Sequence, residues 1–414
     1  MELKKSTFWT RYYPYLFVLA LLTANYITGF RFAQWGIPHL GQVHCGVTPN
    51  QLSFFMALMA IITCALALIS GFLFDKVELA FRKRLLIFVF CFALQGVVLL
   101  LGYYISTPGQ FGIWLLVFSS ILGVLVCQPF VFIFMLIPSK HRGILAGAIT
   151  GSAYLIGNFS MVPWTFNGLL VESLVVSIPA FLFIFLGIIK ANKFNLPDFS
   201  GENSNNDENF SRRGFLILVL LMFGVYFIDS FGFMRMKEED YFWTIWGGSD
   251  LPIKLLIGII HFIAALGMGY IYNKKGNRGG ITVICYTFVG FALSDFLLML
   301  SPSGILLIIS VSFYCATVSF YTVNIFALWA DCSSSKNVSS RASIGIGIGG
   351  WLSSFTSTAL AEFFVENHPG LFSYGFHMMI TSLIAIIFLI FSIVTYYKRS
   401  RVLTNQGFTN KPVL

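Results

Sequence analysis

The stretch Gly269-Tyr270-Ile271-Tyr272-Asn273-Lys274-Lys275-Gly276-Asn277-Arg278 closes a long apolar run, and Gly71-Phe72-Leu73-Phe74-Asp75-Lys76 closes another. Both read as a glycine, three residues, an acid or amide, then a base, and they stand 198 positions apart. Arg142 and Arg341, each opening a later apolar run, stand 199 apart. Two nearly equal offsets indicate an internal repeat of about half the chain, which is the first feature to seek in a long helical sequence.

Outward from these motifs the chain is almost entirely apolar. Hydrophobic residues make up 57% of its 414 positions and charged residues 10%, against about 25% charged in a soluble domain. The mean hydropathy is +0.82. A helix rising 1.5 Å per residue needs about 20 apolar residues to cross a bilayer, so the length accommodates about twelve spans. Apolar runs broken by charge, Gly or Pro are predicted near 14–36, 51–74, 85–106, 111–137, 143–165 and 171–190, then 214–236, 252–272, 280–300, 304–330, 342–365 and 372–397. The expected class is an all-α integral membrane protein of twelve transmembrane helices. An N-terminal bundle (1–190) and a C-terminal bundle with a short tail (214–414) flank a linker (191–213) whose Asn203 to Glu208 cannot bury an apolar face.

Lysines and arginines cluster on alternate connections, at Lys76 and Arg82 to Arg84, Lys140 and Arg142, Lys190 to Arg213, Lys274 to Arg278, Lys336 and Arg341, and after Lys398, leaving Lys237 and Lys254 for the other side. The positive-inside rule then puts both termini in the cytoplasm, with a plasma or bacterial inner membrane as the expected location. The net charge of +9 reports topology, and no nucleic-acid partner is inferred. The seven cysteines lack Cys-x-x-Cys spacing, so no disulfide framework, metal or cofactor is expected. The first span reads as a retained helix without a separate signal peptide. Trp9, Tyr12, Tyr13, Trp164, Tyr396 and Tyr397 fit interfacial anchors.

The second motif resembles the cytoplasmic signature of the major facilitator superfamily, which reads Gly, three residues, Asp, a base, any residue, Gly, any residue, a base. Gly269, Lys274, Gly276 and Arg278 match it, and Asn273 replaces the acid. The first copy keeps Gly71, Asp75 and Lys76, has Glu78 at the second glycine, and carries Arg82, Lys83 and Arg84 a few residues on. Span five, with Arg142, Gly143, Gly147, Gly151, Gly157 and Pro163, resembles the family's glycine-rich fifth helix without its Gly-Pro dipeptide. The resemblance covers the whole chain in architecture and about thirty residues in motif. It implies two six-helix bundles rocking about a midplane site, lined by spans one, four, seven and ten. Gly71, Asp75, Lys76, Arg142, Gly269, Asn273, Lys274, Gly276 and Arg278 would form a gate. Physically, Asp75 can cap a neighbouring helix end only while that side is closed; the bland alternative is that these charges only fix topology.

Polar groups inside a membrane are costly, at about 2.5 kcal/mol or more per charge, and so point to function. The expected cavity groups are Asn25, Tyr26, Thr28 and Arg31 in span one, Gln128 in span four, Tyr226, Asp229 and Arg235 in span seven, and Tyr314, Thr317, Tyr321 and Asn324 in span ten. Arg31 and Arg235 follow similar glycine-phenylalanine steps, and two converging guanidiniums would fork a phosphate or carboxylate. That arrangement is similar to the organophosphate/phosphate antiporters of the same superfamily. The alternative for Arg235 is to reach the outer headgroups with Lys237. Asp229 is the candidate coupling or counter-ion carboxylate, with Arg31 as its expected partner. His261 and Asp295, on spans eight and nine, are expected in structural or interfacial roles. Gly345, Gly347, Gly349 and Gly350 in span eleven follow no strand, so they read as a close-approach surface and not a nucleotide loop.

The expected function is secondary transport of a small solute, an organic anion or phosphate ester, by a monomer with H⁺ or phosphate as coupled ion. The rivals are proton-coupled transport of a neutral or cationic solute and a non-transporting receptor or scaffold of the same fold. An enzyme would need paired carboxylates, a His/Asp cluster or a metal triad, and the sequence suggests none.

Overall fold

A computed structural model describes residues 3–77, 81–159, 164–190, 212–242, 245, 251–300, 303–367 and 373–405. Twelve long helices run through them: α1 (Tyr12–His44, entered from Leu3), α2 (Pro49–Lys76), α3 (Phe81–Leu101), α4 (Pro108–Leu136), α5 (Ser139–Phe159), α6 (Phe166–Lys190), α7 (Arg212–Met236), α8 (Leu251–Lys275), α9 (Gly279–Met299), α10 (Gly304–Asp331), α11 (338–367) and α12 (Tyr374–Asn405). A one-turn helix, Asp240–Phe242, follows α7, and no strand occurs among the described residues. The order matches the twelve expected spans. The linker expected at 191–213 lies outside the described residues, except that Arg212 and Arg213 already belong to α7.

Ten of these helices are long and apolar enough to cross a bilayer by length and composition; α5 and α11 are not among them. Both are rich in Gly and Ser, and few of their described side chains are exposed. Elsewhere large apolar groups such as Phe54, Ile61 and Ile69 on α2, Phe90 on α3 and Ile387 and Ile390 on α12 stand exposed. Such a belt fits lipid as solvent.

The helix starts have local causes. Thr48 precedes Pro49 at the first turn of α2; its Oγ1 accepts from the Gln51 N–H at 3.4 Å while Gln51 Oε1 accepts from the Thr48 N–H at 3.0 Å, a reciprocal capping box. Thr107 caps α4 ahead of Pro108 in one direction only, the Gln110 N–H donating to Thr107 Oγ1 at 3.3 Å while Gln110 Oε1 accepts from the Ser106 N–H at 3.0 Å. Gly276, at φ +51°, makes the left-handed turn that ends α8. Lys254, expected in a loop, lies in the first turn of α8 and is buried.

The two halves meet along α5 against α8 and α2 against α11, a pair of crossings related by the repeat. Each depends on missing side chains. A Cβ on Gly143 would meet the Gly269 carbonyl oxygen at 2.7 Å, one on Gly269 the Gly143 oxygen at 2.4 Å, and one on Gly71 the Ser339 oxygen at 2.7 Å. The motif glycines therefore set the distance between bundles. Gly143→Val or Gly269→Val should cost about 1–3 kcal/mol by overpacking, read as a lower thermal unfolding midpoint of the purified protein. Gly267→Ala on the same helix, where a Cβ meets nothing within 4 Å, should leave the midpoint unchanged.

Candidate functional site

Between the halves lies a cleft of about 670 Å³, counting the open space adjoining it. From α1 it takes Tyr26, Phe30, Arg31, Gln34 and Trp35. These spacings share one face because α1 widens into i→i+5 turns over Tyr26–Gly36, the type of local irregularity that accumulates at functional sites. The other half supplies Asp229 and Phe233 from α7, His261 from α8, and Tyr314 and Tyr321 from α10. Beneath the cleft Tyr26 packs edge-on against Phe326, which stacks on Phe130 with ring centres 6.1 Å apart.

Asp229 is buried, and both its oxygens accept phenol protons at 2.6 Å, Oδ1 from Tyr314 and Oδ2 from Tyr321. Tyr226 lies behind, its ring 5.2 Å from that of Tyr321. Among the described residues no cation stands within ion-pair distance of Asp229. The expected partner, Arg31, is engaged elsewhere: its Nε donates to Glu172 of α6 at 3.3 Å, its Nη2 to the Gly157 carbonyl at 2.7 Å, and its guanidinium lies 5.0 Å from the Trp164 ring. Glu172, the lone acid in α6 and 3% exposed at its side chain, was missed in sequence. Its position within a span was the available signal.

Arg235 does not converge with Arg31. It pairs with Glu238 and Glu239 just past the end of its own helix, at i+3 and i+4, so the two-guanidinium fork is not assembled. Five further expected groups are outside the cleft lining. Thr28 and Thr317 each donate at 2.8 Å to a carbonyl one turn back on their own helix, Ala24 and Phe313. Asn324 donates to the Gly280 carbonyl at 3.2 Å within the C-terminal half, Gln128 packs beside Cys127, and Asn25 is half-buried outside the lining. His261 and Trp164, expected at supporting or interfacial places, instead line the cleft. His261 stacks on Tyr154 of α5 with ring centres 4.2 Å apart, and its Nδ1 is hydrogen-bonded to Ser319 Oγ at 2.8 Å.

Tyr154, also missed in sequence, joins the halves at mid-depth. Its hydroxyl receives a hydrogen bond from Tyr26 at 2.7 Å and lies 3.3 Å from Thr322 Oγ1 on α10. Nothing in its spacing distinguishes it from the chain's other tyrosines.

Contacts at the two ends differ in chemistry. At the end bearing the repeated motifs, the Asp75 carboxylate accepts the backbone N–H groups of Ser339 and Ser340, in the first turn of α11, at 3.0 and 2.7 Å. Asn273 Oδ1 accepts the Gly143 N–H of α5 at 2.8 Å. Arg142, with its side chain fully buried, pairs with Asp331 at the end of α10 at 2.7 Å, and the Tyr272 hydroxyl donates to the other Asp331 oxygen at 2.7 Å. Arg84 donates to Ser339 Oγ at 2.7 Å. Lys76 and Lys274 are exposed there, Arg278 is half-buried, and Arg341 bonds the Cys332 carbonyl within its own half. At the opposite end Trp35 contacts Trp164, Phe233 and Phe242, with ring centres 4.5, 5.5 and 5.9 Å away.

The Arg31–Glu172 pair makes a testable demand. Removing one member of a buried pair costs about 3–5 kcal/mol because it strands the other charge. Arg31→Gln and Glu172→Gln should each lower the unfolding midpoint, and the double variant should recover most of the loss.

No protein-family model matches the sequence, and no curated protein sequence matches it. Among solved structures, the chain is similar to the major facilitator superfamily proton:xylose symporter XylE bound to 6-bromo-6-deoxy-D-glucose, with a TM-score of 0.64 and 15% identity over 92% of this chain and 95% of that one. It is also similar to the human organic anion transporter MFSD10 (0.59, 12% identity, 92% and 98%) and to the nucleoside transporter NupG (0.56, 12%, 92% and 99%). At such identities the likeness speaks of architecture, and with the apolar helices it makes this chain a multi-pass membrane protein with the major facilitator fold.

Proposed function

We propose that the protein is a secondary transporter moving a small, ring-bearing solute, neutral or cationic, by alternating access, with a proton carried on Asp229 as the coupled ion. The observation that carries this reading is the Asp229 carboxylate on the cleft wall, held by two phenols and with no cation at ion-pair distance among the described residues. A carboxylate has about four lone-pair sites and the tyrosines occupy two, so hydroxyl or ammonium donors of a solute have acceptors to meet. Tyr26, Phe30, Trp35, Trp164 and Phe233 offer faces on which a ring can stack. Arg31 arrives already neutralised by Glu172, which disfavours the phosphate-ester reading. XylE and NupG, named for a sugar and nucleosides, lend the neutral class some support.

The working parts are taken as the bundles 1–190 and 214–414, joined by 191–213, with both termini in the cytoplasm. In that orientation the Asp75, Asn273 and Arg142 contacts form the cytoplasmic gate, and the aromatic cluster around Trp35 closes the outer side. Loss of the first set with the second retained opens the cleft to the cytoplasm, and the reverse opens it to the outer side.

The test is counterflow in liposomes holding the purified protein, screening labelled sugars, nucleosides and organic cations against phosphate esters and carboxylates. Exchange of a neutral or cationic ring compound is expected; exchange confined to anions would sink the reading. Asp229→Asn should abolish uptake driven by a pH gradient while preserving counterflow, because the amide mimics the protonated acid. Asp331→Asn should weaken the closed gate by about 3 kcal/mol, the lower end for a broken buried pair, since Asp331 is 26% exposed at its side chain. Spin-label distances across that end should lengthen accordingly.

A further inference from the structure

Asp295 on α9 is a second carboxyl buried in the C-terminal half, and transport as proposed above makes no use of it. It is 1% exposed. The Ser294 hydroxyl donates to its Oδ1 at 3.4 Å, while Oδ2, with the Thr381 hydroxyl near the carboxyl, makes no close hydrogen bond among the described residues. No cation stands within ion-pair distance among the described residues. An ionised carboxylate so placed bears a large desolvation cost, which a bound proton removes.

The groups whose charge or hydrogen bonding reaches it are Asp229 from α7, Tyr314 from α10, Tyr374 and Thr381 from α12, and Tyr241 from the short helix after α7. None is a cation, and α8 contributes none among the described residues. Phe291 lies one turn before Asp295 on the same face of α9, and its ring packs 6.1 Å from those of both Tyr314 and Tyr321. These are the two phenols that hold Asp229, so α9 carries Asp295 one turn from a ring packed on both of them.

We propose that Asp229 and Asp295 form one proton-binding unit in which Asp295 keeps a proton whenever Asp229 is ionised. The inference rests on the reading of Asp229 as the coupling carboxylate. Two carboxyls without a counter-cation in one low-dielectric region do not both ionise readily, and they release protons in two steps that belong to the pair. The unit thus alternates between two bound protons and one, and the proton exchanged in transport is the difference.

The experiment is infrared titration of the protonated-carboxyl band of the protein in liposomes, for wild type, Asp295→Asn, Asp229→Asn and Asp295→Glu, with uptake measured on the same preparations. Wild type should lose the band in two steps. Asp295→Asn should lack the more alkaline step and Asp295→Glu should retain it, which guards against misfolding of the amide variant. Asp229→Asn should displace the step that remains. An Asp295→Asn titration identical to wild type would overturn the proposal, as would an Asp229→Asn variant that leaves the remaining step in place. Two coupled steps with uptake indifferent to a pH gradient would uphold the pair and discard proton-coupled transport. Proton-driven uptake with a single step would do the reverse.

Discussion

The arrangement of the two halves depends on helix starts in one bundle receiving side chains from the other. A helix presents four unpaired N–H groups at its beginning and a partial positive charge. Asp75, ending α2, meets those groups at the start of α11, and Asn273, ending α8, meets the start of α5. Both contacts cross the bundle boundary, and both need backbones closer than a side chain allows, which is why glycine accompanies each. With the halves docked this way the cleft is narrowed at that end, and its polar residues face one another at mid-depth.

The cleft in turn depends on how charge is distributed in a medium that solvates none of it. Each half carries its own solution. The N-terminal half neutralises Arg31 internally through Glu172 and turns aromatic faces toward the cleft; the C-terminal half surrounds Asp229 with phenols and, among the described residues, brings no cation to it. The asymmetry turns a pseudo-symmetric scaffold into a site with a stacking side and an accepting side. The widened turns of α1 contribute by bringing Tyr26, Phe30 and Trp35 onto one face.

Much of the fold was legible because hydropathy and positive charge act over whole helices. Span order, the repeat and the motif glycines follow from patterns tens of residues long. The contact geometry of Asp75 was foreseeable because a carboxylate beyond an apolar helix has few other partners. Partner choice within the cleft was not legible. Arg31 was matched to Asp229 because both were the conspicuous charges on cavity-lining spans, whereas Glu172 lies across a helix pair whose packing no local pattern encodes. Arg235 looked like a counterpart of Arg31, yet two glutamates just past its own helix claim it first. The α1 widening hid the extent of that helix, which continues through Pro38 to His44, eight residues beyond the expected end at 36.

The substitution of an amide for an acid in the second motif makes the two bundle contacts unequal. An Asp75 carboxylate at a helix start gains charge–dipole energy of about 0.3–1 kcal/mol that dissolved ions screen, whereas the Asn273 amide holds its helix by hydrogen bonding alone. Raising ionic strength should therefore weaken the Asp75 contact more than the Asn273 hydrogen bond, a difference in physical character that follows from a single oxygen-for-nitrogen exchange.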